Sequence, residues 1–147
     1  MFCHSHNWVR SSLHSSVPMH AIVGGVDSDG STIYIGRTYY EGDHLPVKIV
    51  PAKQLARASW GGREIQVHDF EYLTGLHYCW IPCHNGNVPH HAVSTGKTRS
   101  GETLYVGRGS YHGSLTVGKI HPSHRCLYIP YGDAEHKLDC YEVLVRN

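Results

Sequence analysis

The sequence predicts an all-β fold on two observations. Runs of β-branched and aromatic residues such as Thr32-Ile33-Tyr34-Ile35 alternate with Gly-, Asp- and Pro-rich turn signals about every 8–12 residues. The chain also matches itself at an offset of 71 residues: Ile33-Tyr34-Ile35-Gly36-Arg37 falls on Leu104-Tyr105-Val106-Gly107-Arg108, and Val17-Pro18 on Val88-Pro89. Two β-rich repeats related by pseudo-twofold symmetry and packed as one intertwined unit are the expected architecture.

The elements follow in order. Each unit opens at a Trp, since Trp8-Val9 matches Trp80-Ile81 once a single residue is allowed to slip. The turns Asp27-Ser28-Asp29-Gly30 and Glu41-Gly42-Asp43 bracket the first clear strand, because Asp supports tight turns through its own side chain and Gly accepts the left-handed backbone. Residues 51–58 have helix-friendly composition, yet their counterparts 122–129 read as strand with a Pro inside, so no helix is assigned to either. Across 16–76 set against 87–147, nineteen of sixty-one pairs are identical without a gap, including Lys48 with Lys119, Glu64 with Glu135 and Glu71 with Glu142. The units are placed at 8–74 and 78–147.

Composition narrows the function. Of 147 residues 40% are hydrophobic and 17% charged, with 16 Gly and 7 Pro, which describes a turn-rich folded protein and not a disordered one. A formal net charge of +1 provides no basic face for a phosphate backbone, so nucleic acid is not an expected partner. The opening residues lack a basic stretch followed by an apolar run, and no apolar run approaches a membrane span. Cys3, Cys79, Cys83, Cys126 and Cys140 are odd in number and without framework spacing, as reduced thiols would be. The expected location is the cytoplasm, or outside the cell by export without a classical signal peptide.

The string from Gly25 to Arg37, the segment Leu45-Pro46-Val47-Lys48-Ile49-Val50-Pro51, and in the second half Gly101 to Arg108, Gly118 to His124 and Tyr141 to Leu144 resemble the DM-nine domain family over nearly the whole chain from Trp8. The resemblance implies a tandem pair of interlocked β-rich units and a mannose-binding, pattern-recognition role in innate immunity. It also implies that Asp27 and Lys48 hold the sugar. Position 47 is Val where the family often has Gly, as at Gly118, and Thr98 stands in the second copy where Asp27 stands in the first. Lys119 and Thr98 are therefore expected to form a weaker second site.

A carboxylate and an ammonium suit a pair of neighbouring sugar hydroxyls, one accepting and the other donating in charge-assisted bonds. Read without the family, Asp27 shapes its turn and Lys48 is a solvated strand residue. Arg37 and Arg108 are expected to make symmetric internal ion pairs, with Glu71 and Glu142 or Glu64 and Glu135 as partners. Tyr39, Tyr40 and Tyr111 lie near the proposed loops, where core or rim packing accounts for most tyrosines. The groups Cys79, Cys83, His84, His90, His91 and His121, His124, Cys126 lack a recognised zinc spacing. A calcium loop counted from Asp27 would need Gly and Glu where Thr32 and Thr38 stand. The stretch 107–113 misses the dinucleotide fingerprint by one position.

The expectation is a metal-free, cofactor-free, non-catalytic lectin for mannose-containing glycans on microbial or host cell surfaces, made multivalent as a homodimer. A glycan-processing enzyme and a protein-interaction scaffold are the alternatives.

Overall fold

In the computed structural model, residues 7–147 are described; Cys3 lies outside them. The first unit runs β1 (Asn7–Ser11), β2 (Val23–Val26), β3 (Thr32–Tyr40), β4 (Asp43–Val50), β5 (Leu55–Trp60), β6 (Arg63–Gln66) and β7 (Phe70–Thr74). The second repeats it: β8 (Tyr78–His84), β9 (Ser94–Lys97), β10 (Thr103–Tyr111), β11 (Ser114–His121), β12 (Cys126–Tyr131), β13 (Ala134–Leu138) and β14 (Cys140–Arg146). The main path of the sheet runs β1-β7-β3-β4-β5-β6-β13-β12-β11-β10-β14-β8. Replacing each strand by its counterpart reverses that order onto itself.

Both segments with disputed helical character resolve the same way. Pro51–Lys53 and Pro122–His124 are single 3₁₀ turns, each closed by a left-handed residue, Gln54 (φ 50°) and Arg125 (φ 62°), before the chain returns to strand. Proline presets φ for the start of the turn, and the left-handed residue ends it. The stretch 107–113 continues β10 into a hairpin, with Gly113 at φ 80°.

One core cluster crosses the boundary between repeats. Ile33, Ile35, Val50 and Leu73 of the first unit form one cluster with Val93, Val106, Val117 and Leu144 of the second. Leu104 also joins the first unit's own cluster, while Ile120, Leu127, Ile129, Tyr141, Val143 and Val145 pack together within the second. The repeats also exchange polar bonds: Glu64 Oε1 accepts from the Asp133 N–H at 2.9 Å, and Glu135 Oε1 from the Gly62 N–H at 3.0 Å. Since 62 and 133 are equivalent positions, these are one contact made twice.

The repeated arginines pair with Glu71 and Glu142, not with Glu64 and Glu135. Arg37 Nε lies 2.7 Å from Glu71 Oε1 and Arg108 Nε 2.8 Å from Glu142 Oε1. Each guanidinium also covers the indole that opens its unit, Trp8 at 4.5 Å and Trp80 at 4.0 Å. The slip of one residue between the two tryptophans therefore preserves a cation–π contact.

Position 47 differs between copies for a packing reason. Val47 pairs with Ala58 across β4 and β5. In the second copy Gly118 lies where a Cβ would stand 2.1 Å from the Tyr128 carbonyl oxygen and 3.0 Å from Ile129 Cγ2. Ile129 is the counterpart of Ala58, so the large and small residues have changed strands.

Candidate functional site

Asp27 and Thr98 occupy equivalent loops with the same backbone bonding. Asp27 N donates to Ser31 O and Gly30 N to Asp27 O, at 2.8 and 2.9 Å; Thr98 N donates to Glu102 O and Gly101 N to Thr98 O at the same distances. Gly30 (φ 89°) and Gly101 (φ 94°) supply the left-handed residue each turn requires. Each loop stands beside the 3₁₀ turn of its own copy, so one loop and one turn form a cradle in each repeat.

In the first cradle the lysine that bonds Asp27 is Lys53, on the turn. Its ammonium lies 2.7 Å from Asp27 Oδ2 and 3.5 Å from Asp29 Oδ2, and the Ser28 N–H donates to Asp27 Oδ1 at 2.8 Å. Burial alone would raise the Asp27 pKa. The Lys53 and Ser28 hydrogen bonds, with the charges of Lys53 and Lys48, overcome it and hold the carboxyl below its usual range. Lys53 in turn is raised, chiefly by its hydrogen bond to Asp27.

Lys48 is not the solvated strand residue of the family-free reading; it is 4% exposed. Its ammonium donates to the Pro130 carbonyl at 2.7 Å, lies 3.7 Å from Glu64 Oε2 and stands 5.2 Å from the Tyr131 ring centre. Pro130 and Tyr131 belong to the second repeat, so this lysine is fixed by both units. Burial lowers its pKa, against the raising effect of Glu64 and then Asp27. Asp27 and Lys48 thus share one electrostatic neighbourhood while their salt bridges run to Lys53 and Glu64.

The second cradle keeps the buried lysine and changes the rest. Lys119 is 6% exposed, 3.1 Å from Glu135 Oε2 and 5.5 Å from the Tyr128 ring centre. Thr98 bonds the Ser100 hydroxyl at 3.0 Å, and its Oγ1 accepts the Glu102 N–H at 3.2 Å. The counterpart of Lys53 is His124, whose Nδ1 lies 3.0 Å from the Tyr128 hydroxyl. The loop carboxylate here is Glu102, accepting from the Ser123 N–H at 2.7 Å and its hydroxyl at 2.6 Å, with His121 Nε2 at 2.9 Å. The His121 and His124 rings stack with centres 3.6 Å apart.

Sequence reasoning named Asp27, Lys48, Thr98 and Lys119 but missed Lys53, Glu102, His121 and Ser123 as cradle residues. Lys53 and His124 occupy equivalent positions of different chemistry, and identity between repeats cannot flag such a pair. Of the three tyrosines, Tyr39 is 67% exposed, whereas Tyr40 packs edge-on against Trp60 and Tyr111 against Tyr131, each at 5.3 Å. Cys79, Cys83, Cys126 and Cys140 are free thiols. Among the described residues no helix is long and apolar enough to cross a membrane.

Natterin-1 and Natterin-2 of Thalassophryne nattereri are each 40% identical to this chain over 68 residues, which is 46% of the chain but only 17% and 16% of those proteins. The nematode sperm cell motility protein MFP2B shares the fold at a TM-score of 0.68 and 16% identity, covering all of this chain and 48% of that one. The sequence profile of the DM9 repeat matches residues 27–138, a span that takes in the Asp27 and Thr98 loops, both buried lysines and both 3₁₀ turns, and the chain belongs to the DM9 repeat family.

Proposed function

We propose that this protein is a carbohydrate-binding lectin that takes a mannose-type sugar at the first cradle, without metal. The observation that carries the reading is the convergence of Asp27, Lys53 and Lys48. One carboxylate, held ionised, is bonded by the Lys53 ammonium and feels the charge of the buried Lys48 ammonium. Neighbouring hydroxyls on a pyranose present donors to the carboxylate and acceptors to an ammonium, and the charged partners strengthen both bonds. Lys48, 4% exposed and bonded to Pro130 O at 2.7 Å, contributes to the site through its positive charge, which lowers the Asp27 pKa. Mannose-containing glycans on microbial or host cell surfaces are the proposed partners, with homodimerisation supplying avidity for individually weak contacts.

The carboxylates support a binding role over a catalytic one. Glu64, Glu71, Glu135 and Glu142 are each engaged by a lysine or arginine, and Asp27 and Glu102 both have lowered pKa values. A general acid for glycoside cleavage requires the opposite shift. Titration calorimetry with methyl α-mannoside, with and without chelator, tests the reading. Binding that survives chelator and disappears in Asp27→Asn is the expected result; a folded Asp27→Asn protein that binds as the parent does refutes it.

A further inference from the structure

The two cradles are built from the same loop and the same turn, but their interiors differ. In the first, the Lys53 side chain spans from the turn to Asp27 and Asp29. In the second, His124 is drawn aside onto His121 and Tyr128, and Thr98 and Ser100, the counterparts of the two aspartates, bond each other. A shallow, solvent-open cleft of about 610 Å³ lies there, lined by Asp43, Thr98, Arg99, Ser100, Glu102, Ser123 and the histidine pair.

We propose that this cleft is a second ligand site, chemically distinct from the first, which takes an uncharged polyhydroxylated ligand of pyranose size with Glu102 as its principal acceptor. The Glu102 side chain is 26% exposed, and its carboxylate is already oriented by Ser123 and His121. Oε2 accepts one of these bonds, from the Ser123 N–H, and a carboxylate oxygen has room for another. Thr98, Ser100 and Ser123 contribute hydroxyls that both donate and accept, and Arg99 contributes a guanidinium donor. The Arg99 backbone is anchored by its N–H to Asp43 Oδ1 at 2.8 Å, so the first repeat holds the loop that forms the second repeat's cleft. Asp43 is engaged by the Arg99 N–H, which leaves the Glu102 carboxylate, the Arg99 guanidinium and several hydroxyls for a ligand, a set that matches a neutral polyol better than an ion of either sign. Lys119 belongs to the floor of this repeat and bonds Glu135; the ligand-facing role falls to Glu102.

The residues of this site are independent of the first cradle, although its ligand class overlaps with that of the proposed lectin. Backbone amide NMR on the full chain separates the two, with methyl α-mannoside, methyl α-glucoside and methyl β-galactoside as probes. Binding at the second site shifts the Arg99 and Ser123 amides. Glu102→Gln and, separately, Arg99→Met should each weaken that response about tenfold or more while Ser28 and Lys53 respond as in the parent. Arg99→Met preserves the aliphatic packing and every Glu102 contact, so it tests the site even if Glu102→Gln loosens the loop. Shifts at Ser28 and Lys53 alone overturn the second site and leave the first standing. Shifts at Arg99 and Ser123 alone support the second and remove the first. No shift at either, or an Arg99 and Ser123 response indifferent to both substitutions, overturns the proposal.

Discussion

The Lys53 ammonium lies 2.7 Å from the Asp27 carboxylate, so the acceptor proposed for the sugar is already occupied by a protein cation before any ligand arrives. A hydroxyl must share that carboxylate with Lys53 or displace it. Asp27→Asn removes the charge that both the sugar and Lys53 use, and the loss of a charge-assisted bond costs on the order of 1.5–3 kcal/mol, a factor of about ten to a hundred in affinity. Mannoside binding measured by calorimetry should fall below detection in Asp27→Asn. Lys53→Met distinguishes a sugar-contacting lysine from a competing one: weaker binding identifies a contact, and tighter binding identifies a latch that the ligand opens.

Much of this was legible in the sequence. Repeated identities located the strands, the loops at Asp27 and Thr98 and the pairing of Arg37 and Arg108 with glutamates, because positions used twice for one purpose remain alike. Two kinds of information were not legible. The usual exposure of lysine says nothing of what a partner repeat covers, so Lys48 read without the family as solvated, whereas the second repeat's Pro130 and Tyr131 enclose it. Chemistry that differs between copies, such as Lys53 against His124 or Ser31 against Glu102, breaks the identity signal at the positions that make the cradles unlike.

Lys48 is also structural, which separates its alanine variant from a simple binding mutant. Removing it leaves Glu64 enclosed at 10% side-chain exposure without its ammonium, and breaking a buried pair by deleting one partner costs roughly 3–5 kcal/mol. Lys48→Ala should lower the unfolding free energy obtained from denaturant titration by an amount of that order. The Lys48→Met, Glu64→Gln double variant, which removes both charges and keeps most of the volume, should recover a substantial part of it. A Lys48→Ala protein as stable as the parent would show that solvent reaches Glu64.

The mixed core predicts that neither half folds alone. Residues 1–74 would present Ile33, Ile35, Val50 and Leu73 without the four second-repeat residues that complete their cluster, and a chain near 70 residues has little apolar burial to spare. Residues 75–147 keep the cluster of Ile120, Leu127, Ile129 and Val143 but lose the first-repeat half of the shared one. Each half expressed alone should lack a cooperative thermal transition by circular dichroism, and an equimolar mixture should gain one. A cooperative melt from either isolated half would contradict the shared core.

The exchange of large and small residues between Val47/Ala58 and Gly118/Ile129 predicts an asymmetric tolerance. Gly118→Val places a side chain against the Tyr128 carbonyl and Ile129, and overpacking of this kind costs about 1–3 kcal/mol. Adding Ile129→Ala relieves the side-chain part of that contact but not the backbone part. Denaturant unfolding of the two single variants and the double should therefore show partial, not full, recovery.

Acid should loosen the second cradle before the first. Burial is the main cause holding His121 below its ordinary value of 6.5; the charges of His124 and Lys119 act the same way, and Glu102 opposes them. A histidine depressed in the folded chain binds its proton more tightly when unfolded, so its contribution is complete above pH 6.5 and declines as pH falls below that value, until the folded ring protonates. Protonating both rings would set two cations 3.6 Å apart. At the first cradle the relevant shifts are the lowered Asp27 and the raised Lys53. Those stabilise across the whole interval between the carboxylate and lysine ranges, and nothing in that pair changes near neutrality. Melting temperature followed from about pH 7 to about pH 5, the interval in which histidine titrates, should fall more steeply for the parent than for His121→Val, which installs the residue the first repeat carries as Val50. Parallel curves would assign the acid sensitivity to other histidines and leave the His121–His124 stack without a part in it.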